Sequence, residues 1–330
     1  MTKVPLRLAR LLAIALLALV ASLLVGGSYV APGDLLYALA HPHANTDVVT
    51  ILWQLRMPRV CIAAVVGAEL AIAGALLQGL LRNPLVDSYL TGVSPGAAAA
   101  IALSVVAGIA APALPAIGFV AGLGTAMLVA AFARRGAGLD AIRLILCGVS
   151  LSALFSAVVT LVLTRAGADY AAQILAWLAG STAGRGWHDL FFTLPYAALG
   201  LAFALVAVPA LNVLRLGETR ATAVGVNVAR TQWVILIAAA LLAASAVAVS
   251  GSIGFVGLVV PHLARRVVGG DARALLPPSA FLGAALCAIA DAASRSIAAP
   301  AELPVGVLLA FVGVPTFLYL YLNMQKVARA

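Results

Sequence analysis

Residues 250–266 read SGSIGFVGLVVPHLARR and decide the fold class. The stretch is apolar enough for a membrane, yet its core, Ile253–Val260, is far shorter than the roughly 20 apolar residues of a regular spanning helix. Such interrupted segments persist at membrane depth only where protein or a water-filled cavity satisfies their backbone, and they mark transport pathways. The rest of the chain is therefore expected to be scaffold around a pathway. The interrupting residues are Gly251, Gly254, Gly257 and Pro261.

The composition supports a membrane protein. Of the 330 residues 64% are hydrophobic and 9% are charged, against roughly 25% charged in soluble proteins. We predict one polytopic helical domain over residues 1–330. The net charge of +9 is scattered between apolar runs rather than clustered on a face, so a nucleic-acid partner is not expected.

Two residue types exclude further classes of protein. Lysine occurs only at positions 3 and 326, outside any GxxxxGK[ST] phosphate loop, so ATP hydrolysis would require a partner chain. Cys61, Cys147 and Cys287 lie in apolar runs without a CxxC pair, which supports neither a disulfide framework nor a metal site.

Ten crossings are predicted when the broken segment counts as one. The first run could be a signal peptide, but no convincing small-x-small cleavage site follows it, so a spanning helix is preferred. Residues 31–54 are read as a polar connection. The predicted runs cover residues 11–25, 60–81, 97–111, 114–132, 143–164, 190–211, 232–249, 253–260, 275–290 and 304–322.

The basic residues predict the orientation. With ten crossings, three quarters of the 20 Lys and Arg residues fall on one side, together with both termini. The positive-inside rule makes this side cytoplasmic. The minority on the outer side comprises Arg56, Arg59, Arg165, Arg185 and Arg295.

Two patterns concern helix faces. Small residues recur every fourth position in residues 60–81, which predicts close helix packing; they are Ala63, Gly67, Ala71, Ala75 and Gly79. Hydroxyl groups recur at the same spacing in residues 143–164. These hydroxyls either bond back to their own helix or line a wet path. They belong to Ser152, Ser156 and Thr160.

Five motifs stand in one order over nearly the whole chain. They are LRMPR (55–59), GAELAIAGALLQGLLRNPL (67–85), YLTGVSPGAA (89–98), SGSIGFVGLVVPH (250–262) and ELPVGVLLAFVGVPTFLYL (302–320). In them the chain resembles the FecCD family of permeases, the membrane subunits of ABC importers for ferric siderophores, haem and cobalamin. It departs from the family pattern at Ser88, where a proline is usual, and at Glu69, where a small residue is usual.

The resemblance implies an all-α permease with ten helices per subunit in the bacterial inner membrane. The family works as a homodimer with the pathway at its interface, two cytoplasmic ATPase subunits and a periplasmic binding protein. The chain itself would bind no cofactor and do no covalent chemistry, because ATP and Mg belong to the ATPase. The expected cargo is an iron complex, haem or a ferric siderophore, moved from periplasm to cytoplasm, with cobalamin as the alternative.

Site residues follow from the same resemblance. Docking of the binding protein is expected at Arg56, Arg59 and Arg295, with interfacial snorkelling as the alternative. Coupling to the ATPase is expected in the loop of about residues 211–230, through Leu216, Gly217, Glu218, Arg220 and Gly225. Asn83 and Leu85 would narrow the cytoplasmic exit. The pathway would be lined by Ser152, Ser156, Thr160 and Arg165, with a periplasmic gate at about residues 165–185 that includes a helical piece at 170–178.

Two acids keep a rival hypothesis open. Glu69 in mid-span is either functional or a protonated or hydrogen-bonded acid within the bundle, since burying it charged costs several kcal/mol. An ion-coupled secondary transporter would use Glu69 and Asp291 as carriers and would need no ATPase. Helix-end capping is the simpler expectation for Asp291 and Glu302, which bracket the last outer loop.

Overall fold

The computed structural model describes residues 3–26 and 30–329, which are almost entirely helical. The helices of the first part are α1 (Lys3–Leu24), α2 (Pro32–Ala40), α3 (Asp47–Thr50), α4 (Met57–Leu80), α5 (Val93–Val106) and α6 (Leu114–Phe132). An antiparallel hairpin of β1 (Arg134–Arg135) and β2 (Gly138–Leu139) follows. The second part contains α7 (Ala141–Arg165), α8 (Ala168–Leu178), α9 (Trp187–Leu214), α10 (Glu218–Ala223), α11 (Val228–Ser250), α12 (Val256–Val268), α13 (Ala272–Ser296) and α14 (Val305–Arg329).

The predicted all-α polytopic architecture is confirmed. Within the described residues, 7 helices are long and apolar enough to cross a membrane, and residues 93–106 and 305–319 form shorter apolar helices. Each predicted crossing corresponds to one helix, and α12 forms the broken segment. These ten helices are α1, α4, α5, α6, α7, α9, α11, α12, α13 and α14.

Helix α5 is a short crossing besides the broken segment. It has 14 residues, or about 21 Å at 1.5 Å per residue, against a hydrocarbon core of about 30 Å. The helix begins and ends about four residues earlier than predicted. Its end is a glycine cap: Gly108 has φ 72°, and Ile109 N donates to Ser104 O at 3.0 Å.

The connection predicted over residues 31–54 contains α2 and the start of a long helix. Thr46 caps that helix by accepting a hydrogen bond from Val49 N at 3.4 Å. A π-helical turn, Ile51–Arg56, then joins α3 to α4. The turn lets Met57 N donate to Leu52 O, five residues back, so the helix continues past Pro58 despite its missing N–H group.

Helices α4 and α11 lie at the centre of the bundle. Most residues of both are buried, and α4 packs against α13, α11, α12 and α9. Helix α11 also packs against α9 and α6. Helix α7, in contrast, leaves most of its length exposed and holds only Leu144, Gly148 and Val159 fully buried.

The small-residue ridge of α4 permits its closest contacts. A Cβ atom on Gly67 would overlap the carbonyl oxygen of Gly283 on α13, and one on Gly74 would overlap that of Gly257. All five predicted ridge residues are buried. The predicted close helix packing is therefore confirmed, and glycine is required because the two backbones touch.

The broken segment is held by a side chain of α4. Helix α11 ends at Gly251 (φ 69°), and Phe255, a non-glycine residue with φ 67°, precedes α12. Pro261 lies inside α12 and leaves Gly257 O without its helical donor. Gln78 Nε2 donates to that oxygen at 3.0 Å and so satisfies the backbone that the proline leaves open.

Candidate functional site

The ends of α4 and α13 that are predicted to face outwards carry a largely buried cluster of charged residues, here called the outer arginine cluster: Arg56, Arg59, Asp291, Arg295 and Glu302. Arg59 Nε lies 2.8 Å from Asp291 Oδ1, and Arg59 Nη1 lies 2.9 Å from Glu302 Oε2. Arg295 Nε lies 3.1 Å from Asp291 Oδ2. The Asp291 side chain is fully buried, whereas that of Glu302 is 40% exposed.

The arginines of this cluster also close the end of α1. Arg56 Nη1 donates to Leu23 O at 2.6 Å, and Arg295 Nη2 donates to Ser22 O at 2.9 Å. Cationic groups at the carbonyl end of a helix are favoured by its dipole.

The three arginines predicted to dock a partner are therefore turned inward in this structure, with 5%, 8% and 6% of Arg56, Arg59 and Arg295 exposed. Their docking role stays a prediction. Helix-end capping by Asp291 was wrong, because the residue lies inside α13 and receives Arg59, Arg295 and the Thr182 hydroxyl group. The sequence contained no signal for the pairing of Asp291 with Arg59, since these two residues are 232 positions apart.

The opposite end of α4 meets the predicted coupling loop. Helix α9 extends to Leu214 and α11 starts at Val228, so the loop is slightly shorter than predicted. Within it, residues 216–226 form what we call the coupling segment, built around the short helix α10. Gly217 (φ 110°) and Gly225 (φ 85°) both have positive φ, as the predicted sharp turns require. Leu216, Glu218 and Arg220 are exposed, while Ala221 anchors α10 in the core.

The predicted exit residues lie in the turn after α4, here called the gate turn (Arg82–Val86). Asn83 Oδ1 accepts a hydrogen bond from Leu85 N at 2.9 Å, a local turn that Pro84 stiffens. Arg82 of this turn lies 3.6 Å from Glu218 of α10. Arg82, which was not among the predicted site residues, thus joins the gate turn to the coupling segment, while the exit role of Asn83 and Leu85 stays a prediction.

Two of the predicted hydroxyl groups of α7 bond back to their own helix, and lining of a wet path by them stays a prediction. Ser152 Oγ donates to Gly148 O at 2.7 Å, and Thr160 Oγ1 donates to Ser156 O at 2.9 Å. Ser156 and Thr160 also line a cavity of about 300 Å³ with Ser252 of the broken segment, and Ser152 is not among its lining residues. Arg165 is exposed at the C-terminal end of α7, and α8 follows as predicted.

Glu69 lies in the middle of α4 with 2% of its surface exposed. The Ser245 hydroxyl group faces its carboxyl group but hydrogen-bonds to Thr193 O at 3.4 Å, and neither Glu69 oxygen has a hydrogen-bond partner within the described chain. This burial, remote from both ends of α4, agrees with an acid held within the bundle.

Comparisons with known proteins agree with this architecture. The model of the FecCD transport family matches residues 14–323. The cobalamin import system permease protein BtuC of Halobacterium salinarum is 41% identical over 82% of this chain and 73% of its own. The hemin transport system permease protein HmuU of Yersinia pestis is 39% identical over 86% of this chain and 87% of its own.

A solved structure extends the likeness to the fold. It is an inward-facing conformation of a transporter assigned to the metal-chelate ABC type, with a TM-score of 0.87 and 34% identity over 97% of this chain and 99% of its own. The family match covers more than nine tenths of the sequence and includes the broken segment, the gate turn and the coupling segment. The chain therefore belongs to the FecCD transport family.

Proposed function

We propose that this chain is the membrane-spanning permease subunit of an ABC importer in the bacterial inner membrane. It works as a homodimer, and separate cytoplasmic ATPase subunits drive the transport. The observation that carries this proposal is the exposed coupling segment in contact with the gate turn at one end of α4. The other end of α4, about 36 Å away at 1.5 Å per residue, carries the outer arginine cluster.

The proposed cargo is an iron complex, haem or a ferric siderophore, which moves from periplasm to cytoplasm. The family match and the likeness to a hemin permease and to a metal-chelate transporter support this choice. The likeness to a cobalamin permease keeps cobalamin as the alternative.

The second subunit is proposed to pack near α7. The exposed side chains of α7 include large apolar groups at Leu146, Leu154 and Leu161. Ser156 and Thr160 of the same helix line the adjacent cavity. An apolar helix that also carries hydroxyl groups suits a boundary between a partner subunit and a hydrated pathway. The pathway thus runs between two copies of α7, with Arg165 at its outer mouth.

The periplasmic binding protein is proposed to dock by replacing one carboxylate of the outer arginine cluster with a carboxylate of its own. The outer arginine cluster holds three guanidinium groups and two carboxylates, and Arg59 Nη2 is buried without a hydrogen-bond partner within the described chain. Glu302 is the exposed member and can swing away from Arg59. A carboxylate of the binding protein then takes its place on Arg59, while Asp291 continues to hold Arg59 and Arg295.

Reconstitution tests the proposed function. The permease, its ATPase and its binding protein are placed in liposomes, and haem, a ferric siderophore or cobalamin is offered in turn. We expect accumulation of one cargo that depends on ATP and on the binding protein. An ATPase variant that binds but does not hydrolyse ATP serves as control and should abolish accumulation. Accumulation that continues without the ATPase would contradict the ABC assignment, and accumulation of cobalamin alone would correct the cargo.

A further inference from the structure

The first residue of the gate turn adopts a backbone conformation that L-residues with a side chain disfavour. Arg82 has φ 51°, and Asn83 N donates to Gln78 O at 3.2 Å, which closes the helix with a left-handed cap. Glycine takes this position without steric cost, whereas other L-residues pay roughly 1–2 kcal/mol. The Arg82 side chain reaches from this cap to the coupling segment.

Glu218, the first residue of α10, is held from two sides. Arg82 Nη2 lies 3.6 Å from Glu218 Oε1, and Gln232 Nε2 of α11 donates to the same oxygen at 3.2 Å. Gln232 also clasps the backbone of Leu139 in the hairpin, accepting from its N at 2.8 Å and donating to its O at 3.2 Å. Glu218 thus joins α10 to the gate turn and to the hairpin.

The gate turn in turn is bonded to the broken segment. Gln78 Nε2 donates to Val86 O at 3.2 Å and to Gly257 O at 3.0 Å. A displacement of Arg82 therefore moves the gate turn. The far end of that turn, Val86, accepts a hydrogen bond from the same Gln78 amide group that binds Gly257 at the start of α12.

The ion pair itself contributes little to stability. The side chains of Arg82 and Glu218 are 44% and 51% exposed, and such pairs are worth about 0–1 kcal/mol. Arg82 and Glu218 line a cavity of about 780 Å³. A second ion pair on this cavity, Arg135 with Asp140 at 3.4 Å, is separate from the path to the gate turn. A mechanical role explains the Arg82–Glu218 pair better than a stabilising one.

We propose that Arg82 and Glu218 are the positioning residues that transmit movement of α10 to the gate turn. This inference rests on the proposed function, because the movement of α10 is driven by the ATPase. When the ATPase pulls on the coupling segment, Glu218 draws Arg82 with it, and the gate turn and α12 follow. Without the Arg82–Glu218 pair, ATP hydrolysis is uncoupled from opening of the cytoplasmic exit.

Charge reversal tests the link in the reconstituted complex. The variants are Arg82→Glu, Glu218→Arg and the double exchange, and the readout is cargo accumulated per ATP hydrolysed. We expect each single variant to lower this ratio about fivefold or more while ATP hydrolysis continues, and the double exchange to restore it to within about twofold. Arg135→Glu removes a similar charge from the same cavity and should leave the ratio unchanged.

A milder variant keeps the test valid if reversal prevents folding. Glu218→Gln removes the charge but retains an acceptor for Gln232, and it should lower the ratio as well. An unchanged ratio in Glu218→Gln, or single losses that the double exchange does not restore, would overturn the link. These outcomes are read only against a wild-type complex that accumulates cargo with ATP. Failure of the wild type would instead contradict the proposed function.

Discussion

Asp291 lies between two guanidinium groups in the interior of the protein and holds Arg59 and Arg295 together. Removing one member of a buried charge network leaves the others uncompensated, at a cost of about 3–5 kcal/mol. We expect Asp291→Asn to lower the thermal unfolding temperature of the purified permease strongly. Glu302→Gln, which neutralises the half-exposed carboxylate of the same cluster, should lower it only slightly. Equal decreases in unfolding temperature in the two variants would contradict the conclusion that Asp291 holds the two arginines together.

Glu302 has a different role if docking proceeds by exchange. Its removal frees Arg59 for a carboxylate of the binding protein, so Glu302→Gln should tighten that complex. The pair between Arg59 and the half-exposed Glu302 is worth up to about 1 kcal/mol, which corresponds to a two- to fivefold lower Kd in a binding titration. Asp34→Asn removes an exposed acid from the same outer surface and is the control. Weaker binding in Glu302→Gln would show that Glu302 itself contacts the partner.

At the scale of helices, the contact between α4 and α13 depends on Gly67 and Gly283. Alanine at position 67 would gain about 1 kcal/mol in helix propensity but would overlap the Gly283 carbonyl group and approach Cys287 Cβ to 2.9 Å. Overpacking of this kind costs about 1–3 kcal/mol, so the steric overlap outweighs the gain in helix propensity. We expect Gly67→Ala to lower the unfolding temperature in detergent.

Gly124 on α6 provides the matched control, because a Cβ atom there would meet nothing within 4 Å. Gly124→Ala should leave stability unchanged or raise it slightly through helix propensity. A Gly67→Ala protein as stable as Gly124→Ala would mean that α4 and α13 separate without cost.

The connection between α9 and α13 predicts a dependence on pH. The Asn212 amide group and Arg273 N donate to the Asp271 carboxylate at 2.9 and 2.7 Å, and these hydrogen bonds lower the pKa of Asp271 below its usual value of 3.8. The stabilisation is therefore fully present above that usual pKa and is lost as pH falls through the lower pKa of the folded protein.

A pH series of unfolding temperatures measures this effect. The advantage of the wild type over Asp271→Asn should be constant above about pH 5 and should shrink on the acid side. Asn212→Ala removes the main donor and should move this loss towards the usual pKa of Asp271. If the difference in unfolding temperature between the wild type and Asp271→Asn did not change with pH, the stabilising role of the ionised Asp271 carboxylate would be contradicted.

At the scale of the whole molecule, the charge distribution predicts that both termini and the coupling segment are cytoplasmic. Cysteine substitutions at exposed positions on the two sides test it, after Cys61, Cys147 and Cys287 are replaced. A maleimide that does not cross membranes should label Ala183→Cys from outside intact cells and should label Arg220→Cys only after the membrane is opened. The reverse pattern would invert the topology.

The whole architecture also weighs against the ion-coupled alternative. A carrier must release and bind its ion in turn, yet Asp291 is fixed by two arginines and the Thr182 hydroxyl group. Glu69 is buried on α4 beside α9 and α11, and it does not line the cavity beside α7. The exposed α10 has no role in such a carrier, whereas an importer driven by an ATPase needs a segment of this kind.

Much of this molecule could be predicted from the order of its residues. Apolar runs located the crossings, because a helix in lipid must satisfy its own backbone wherever it lies. Fourfold spacing located the packing ridge of α4, and two glycines located the turns around α10. These features depend on neighbours in the sequence, so a linear pattern suffices to predict them.

Only the tertiary structure decided the features that join distant positions. The pairing of Arg59 with Asp291, the support of Gly257 by Gln78 and the contact of Arg82 with Glu218 each depend on how separate helices pack. A charged or amide side chain carries no sequence signal for its partner, because the same group suits solvent, lipid headgroups or another helix. Packing of the ten helices removes that choice, since a buried polar group without a partner inside the bundle costs free energy.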